Sequence, residues 1–115
     1  MRPTFELPPD GALARWFPDT DGFRDRQLDA LERVWEGRSS LVLMPTGMGK
    51  SLIFQLPVFA SRSIGVVISP LIALMSQQAE GLRSRGANVL SLGGSDALDA
   101  QEALRRFPWE EGPGF

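Results

Sequence analysis

Leu41-Val42-Leu43-Met44-Pro45-Thr46-Gly47-Met48-Gly49-Lys50-Ser51 is the stretch that decides how the rest of the chain is read. A short apolar run, 41–44, leads into a turn with glycines at 47 and 49, and the residues from Lys50 onward carry a helical pattern. Strand, glycine-rich loop, helix is the setting that a phosphate-binding loop needs. Gly47 and Gly49 let backbone N–H groups approach phosphate oxygens with no Cβ in the way. A helix starting near Lys50 adds its unpaired N–H groups and the positive end of its dipole. Lys50 is long enough to reach β and γ phosphates, and the Ser51 hydroxyl can ligate Mg²⁺. Met44 stands where the strict pattern GxxxxGK[ST] has its first glycine, but the GxGKS core is intact. The plain alternative is a glycine-rich turn with an incidental surface lysine. Lys50 is the only lysine in the chain, which makes accident less attractive.

Further apolar runs follow at 64–68 and 88–92, so that positions 41, 65 and 89 are equally spaced by 24 residues. Between them, 50–61 and 71–85 are long and periodic enough to be helices, the second closed by Gly86. Parallel neighbours need a crossover of about a dozen residues or more, so this βαβαβ rhythm predicts an α/β fold with a parallel sheet and flanking helices. Before the loop, Leu28, Leu31, Val34 and Trp35 recur at helical steps and Gly37 is placed to end the helix. Pro3, Pro8, Pro9 and Pro18 leave residues 1–22 as a lead-in segment with room for one short turn over 11–17. A last helix is expected from Asp96 or Ala97 to Phe107, capped by Ser95 or Asp96 and stopped by Pro108. Leu71, Leu74, Met75 and Ala79 form one helical stripe and are expected to face the sheet.

The chain has 115 residues, 43% hydrophobic and 23% charged, the composition of one globular domain or part of one. It contains neither cysteine nor histidine, which excludes disulfides, thiolate nucleophiles, histidine bases and Cys- or His-ligated zinc. No run approaches the roughly 20 apolar residues of a membrane span, and no leader pattern opens the chain, so a cytoplasmic location is expected by default. The net charge of −2 argues against a uniformly basic surface. Its distribution is uneven: residues 1–37 hold five arginines against eight acids, 38–95 hold five cations against Glu80 alone, and 96–115 hold two arginines against five acids. The basic block contains the glycine-rich loop.

Leu43 to Ser51 followed by Phe54-Gln55-Leu56-Pro57 resembles the Walker A segment of superfamily 2 helicases. Ser69-Pro70-Leu71-Ile72-Ala73-Leu74-Met75 is similar to motif Ia of the RecQ family, and Phe23-Arg24-x-x-Gln27 to its motif 0. The resemblance implies the amino-terminal part of a RecA-like P-loop lobe, residues 23–115, in an ATP-dependent DNA helicase moving 3′ to 5′ along single-stranded or partly duplex DNA. It implies ATP contacts from Arg24, Gln27, Thr46, Gly47, Met48, Gly49, Lys50 and Ser51, with Lys50 catalytic and Ser51 on Mg²⁺. It implies DNA contacts from Ser69, Pro70, Leu71 and Gln78, while Gln77 replaces the family's usual aspartate.

Read as chemistry, a glutamine amide can donate and accept at once and so meet the N6 and N7 edge of adenine. Arg24 and Gln27 at i and i+3 are equally the pattern of an ordinary exposed polar pair. Ser69 at a strand's carboxyl end, ahead of a helix start, suits a phosphate and gives contact without base readout. Trp16, Trp35 and Trp109 could stack bases, although scattered tryptophans beside apolar residues more often pack inside. No apolar run ending in Asp-Glu follows Lys50, and no second lobe with an arginine finger is encoded here. The 115 residues alone are therefore expected to be inactive as an ATPase. The competing readings are a non-enzymatic truncated protein that binds nucleotide or DNA, and an unrelated kinase-like phosphate-loop enzyme. The oligomeric state is not legible in the sequence.

Overall fold

The computed structural model describes residues 4–23, 26–43, 50–92 and 100–115. They form two compact units, Met1–Ser61 and Arg62–Phe115. Among the described residues the regular elements are helices: α1 (Pro9–Trp16), α2 (Gln27–Trp35), α3 (Lys50–Ser61), α4 (Ile72–Ser84) and α5 (Ala100–Arg106).

In the first unit α1, α2 and α3 pack pairwise on one another. Pro9 opens α1, where a missing N–H costs nothing, and Asp10 and Arg15 lie at the ends that complement the helix dipole. Helix α3 is apolar on nearly every side, as a helix enclosed by others must be, and its run Leu56–Ala60 is buried without a break. Phe59 meets Phe17 edge-on with ring centroids 5.6 Å apart, and Leu31, Leu56 and Phe59 are almost fully enclosed. Each such burial contributes about 1.5–3 kcal/mol. The lead-in segment is tied down: Phe5 stacks on Trp35 at 4.2 Å, and the indole Nε1–H of Trp35 donates to the Leu7 carbonyl at 2.9 Å.

Gly37 ends α2 as expected. At φ 75° its N–H donates to the Val34 carbonyl, and the Arg38 N–H reaches back to Arg33, the paired bonds of a Schellman cap. Helix α4 closes identically, with Gly86 at φ 93° donating to Arg83 and Ala87 to Leu82.

The parallel sheet expected from 41–44, 64–68 and 88–92 is not formed among the described residues. Residues 41–43 are irregular, with Met44 outside the described residues. In the second unit parallel pairing is limited to isolated bridges of Ile64 and of Asn88, both to Gly114. A strand is stabilised by its neighbours, so 64–68 and 88–92 without a full-length strand between them have little ladder to join. The same lack leaves Leu71 and Leu74 exposed, whereas Ala79 and Leu82 are buried, so the stripe expected to face the sheet is covered only toward its carboxyl end. Helix α5 stops before Pro108 as expected, while the expected caps Ser95 and Asp96, with Ala97, lie outside the described residues.

Candidate nucleotide and DNA site

Arg24, Thr46, Gly47, Met48 and Gly49 lie outside the described residues, as does the rest of the loop back to Met44. What is described is the loop's exit. Lys50 is the first residue of α3 and is exposed, and Ser51 follows half-buried in the same turn. The first turn of α3 carries no acidic residue. A helix start with a free-reaching cation and no opposing carboxylate fits a phosphate group, and a hydroxyl one residue on fits a hard cation beside it. Among the described residues no group of three or more acidic side chains could hold a metal by itself.

Lys50 lines a cleft of about 480 Å³ within the first unit, together with Val34, Val42, Ile53 and Phe54. Arg38 stands on the same cleft, its Nη1 3.3 Å from Glu36 Oε2 in an exposed pair. Sequence reading did not single out Arg38. Its only signal is its place directly after Gly37, three residues ahead of the apolar run that starts at Leu41.

Gln27 is 3% exposed, the one polar residue among the buried side chains of the described residues. It opens α2 on the face that also buries Ala30 and Leu31. The exposed polar pair is therefore not what the structure contains at this position.

In the second unit Ser69 is half-buried, and its Oγ accepts the Leu71 N–H at 3.2 Å just ahead of α4. One of the amides expected to be open at this helix start is thus already met by the serine, whose own hydroxyl hydrogen still has a direction to donate. Pro70 and Leu71 are exposed and Gln78 is half-buried. None of the tryptophans is fully buried: Trp16 lies under the Arg15 guanidinium at 5.0 Å, Trp35 stacks on Phe5, and Trp109 is exposed against the edge of Phe107.

A helix that opens on the lysine and serine of a glycine-rich loop places the chain with phosphate-loop proteins. The model of the DEAD/DEAH box helicase family matches residues 24–109, and the chain belongs to that family, whose fold is RecA-like. Within it the chain is RecQ-like. It is 41% identical over 90 residues to the ATP-dependent DNA helicase hus2/rqh1 of Schizosaccharomyces pombe, covering 75% of this chain and 7% of that protein. It is 45% identical over 73 residues to the ATP-dependent helicase wrn-1 of Caenorhabditis elegans, covering 64% of this chain and 7% of the other. Against the ATP-dependent DNA helicase RecQ of Haemophilus influenzae it is 36% identical over 83 residues, 72% of this chain and 13% of the relative. The chain thus spans about a tenth of the length of such relatives. Among the described residues no helix is long and apolar enough to cross a membrane.

Proposed function

We propose that this chain is the ATP-binding portion of a RecQ-like helicase that couples ATP hydrolysis to 3′ to 5′ unwinding of DNA. The observation that carries the reading is the start of α3, where exposed Lys50 and adjacent Ser51 open a helix free of acids in its first turn, directly behind Gly47 and Gly49. In this reading the loop from Thr46 to Gly49 wraps phosphate with its amides, Lys50 neutralises the β and γ oxygens, and Ser51 holds Mg²⁺. The metal supplies charge neutralisation on the transferring phosphoryl group. Gln27 and Arg24 read adenine, and the burial of Gln27 supports a fixed amide better suited to select a base than a mobile surface one.

Ser69, Pro70, Leu71 and Gln78 contact the DNA backbone, giving binding that falls with salt and varies little with sequence. The 115 residues alone bind nucleotide weakly and do not turn it over, since no Asp-Glu strand end is available to orient water.

Titration with a fluorescent ATP analogue, repeated with GTP as competitor, tests the assignment. Gln27→Ala erodes the preference for ATP over GTP more than the overall affinity. Identical discrimination before and after the change would remove Gln27 from the site.

A further inference from the structure

Two Asp-Gly pairs occur in the chain, Asp10-Gly11 and Asp21-Gly22. An aspartyl residue followed by glycine can close on itself, the glycine amide nitrogen attacking the side-chain carboxyl carbon to form a five-membered imide. Glycine favours the attack because no Cβ shields its nitrogen. The backbone must still turn that nitrogen onto the aspartyl side chain, and here the structure treats the two pairs differently.

Asp10 and Gly11 are the second and third residues of α1. Helical ψ at Asp10 turns the Gly11 nitrogen away from the Asp10 carboxyl, so ring closure has to leave the helical region and break the first turn. That turn is held in place. The helix packs on α2 and α3, Ala12 and Leu13 are buried, and the Ala12 N–H donates to the Pro8 carbonyl at 3.0 Å.

Asp21 and Gly22 lie in residues 17–26, between α1 and α2. Asp21 is exposed, and Gly22 sits at φ 145° with no atom within 4 Å of the place a Cβ would take. Among the described residues neither takes part in a hydrogen bond or an ion pair. The backbone bond that precedes them runs from the Thr20 N–H to the Phe17 carbonyl at 3.1 Å. Rotation about ψ of Asp21 therefore breaks no bond of the described structure, and local opening there costs little.

We propose that Asp21 is a modification site, at which the folded chain converts spontaneously to isoaspartate, while α1 withholds Asp10 from the same reaction. In the neutral carboxyl form of Asp21 a bond forms from the Gly22 nitrogen to Asp21 Cγ as the Cγ–OH bond breaks, and the hydroxyl leaves with the amide hydrogen as water. Water then adds to the imide at the main-chain carbonyl carbon of Asp21 and breaks its bond to the Gly22 nitrogen. The product has the mass of the parent. Its backbone runs through Cβ and Cγ, one atom longer, and the former main-chain carbonyl is a free carboxylate. The longer link falls in the connection that leads to buried Gln27 at the start of α2. This goes beyond the helicase reading and does not depend on it.

Trypsin separates the two pairs, because cleavage after Arg15 and Arg24 gives peptides 1–15 and 16–24, the Arg2-Pro3 bond being resistant. After weeks at neutral pH, peptide 16–24 from the folded chain splits into two components of equal mass, and electron-transfer fragmentation places the isomer at Asp21. It does so about fivefold or more faster than peptide 1–15 from the same sample. Incubated as free peptides, the two form their isomers at similar rates. Asp21→Glu keeps the charge but would need a six-membered ring, and it removes the second component. Absence of that component from 16–24, or equal rates for the two pairs in the folded chain, would overturn the proposal. So would a rate ratio just as large between the free peptides, which would make the difference one of sequence and not of fold. A second component that survives Asp21→Glu would move the reaction to Asp19 and overturn it too.

Discussion

In Met1–Ser61 three helices turn Leu13, Phe17, Leu31, Leu56 and Phe59 onto one another, whereas in Arg62–Phe115 Val66, Ile68, Leu71 and Leu92 stand open to solvent. The two units differ in how far along the chain their partners lie. Helices satisfy their backbones locally and need only present apolar stripes to each other. Segments 64–68 and 88–92 need a strand between them, and among the described residues only the short Pro113–Phe115 bonds to both. The first unit thus closes its core with what it has, while the second holds a half-filled one.

The largest expected effect separates the two directly. Phe59→Ala in the enclosed core costs about 3–5 kcal/mol, a large part of the whole stability of a small domain. Val66→Ala, at a position 83% exposed, stays within about 0.5 kcal/mol. Urea titration followed by tryptophan fluorescence measures both. Comparable costs would mean that Val66 is covered in solution and that the second unit closes its apolar face as the first does.

Next in size is a change that leaves the fold alone. Lys50→Ala weakens nucleotide binding tenfold or more, since a charge-assisted contact to phosphate contributes about 1.5–3 kcal/mol. Its exposure predicts an almost unchanged melting temperature. Unchanged ATP affinity in a folded variant would take Lys50 out of the site.

What could be read from the sequence follows the same division. Helices α2, α3 and α4 were legible because their apolar steps and closing glycines are local signals, and Gly37 and Gly86 sit where the caps required them. The sheet was legible only as apolar runs, because pairing depends on residues distant in sequence and 64–68 and 88–92 have too short a partner to complete it. At the candidate site, the Lys50 and Ser51 helix start was readable from the glycine spacing. The burial of Gln27 was not, because the same i, i+3 pattern with Arg24 suits an exposed face. The exposed Trp109 was missed for the reverse reason: an indole beside Phe107 and Pro108 looks enclosed until its neighbours prove too few.

The two glycine caps give a matched probe of cooperativity. Gly37→Ala and Gly86→Ala each force a side chain into the left-handed region at the same kind of motif, costing about 1–2 kcal/mol. The space around a Cβ at Gly86 is open, so backbone strain is the whole of that effect. If both substitutions shift one common urea transition equally, the units unfold together. If Gly86→Ala lowers only an early transition and leaves the core around Phe59 untouched, the second unit melts separately, as its open face predicts.

The smallest expected effect on stability is Ile68→Ser. At 94% exposed, the isoleucine buries almost nothing on folding, so replacing it changes the folding free energy by no more than about 0.5 kcal/mol. Solubility should respond instead. Val66, Ile68, Leu71 and Leu92 expose apolar area in one small unit, and exposed apolar patches beside unpaired strand edges favour association between copies. Sedimentation velocity across a concentration series should show less self-association for Ile68→Ser than for the parent chain, with thermal melts superimposable. A loss of stability above about 1 kcal/mol would mean that Ile68 is packed in solution. The second unit would then have found cover of its own, and the difference between the two halves would lie in what covers their apolar side chains and not in whether they are covered.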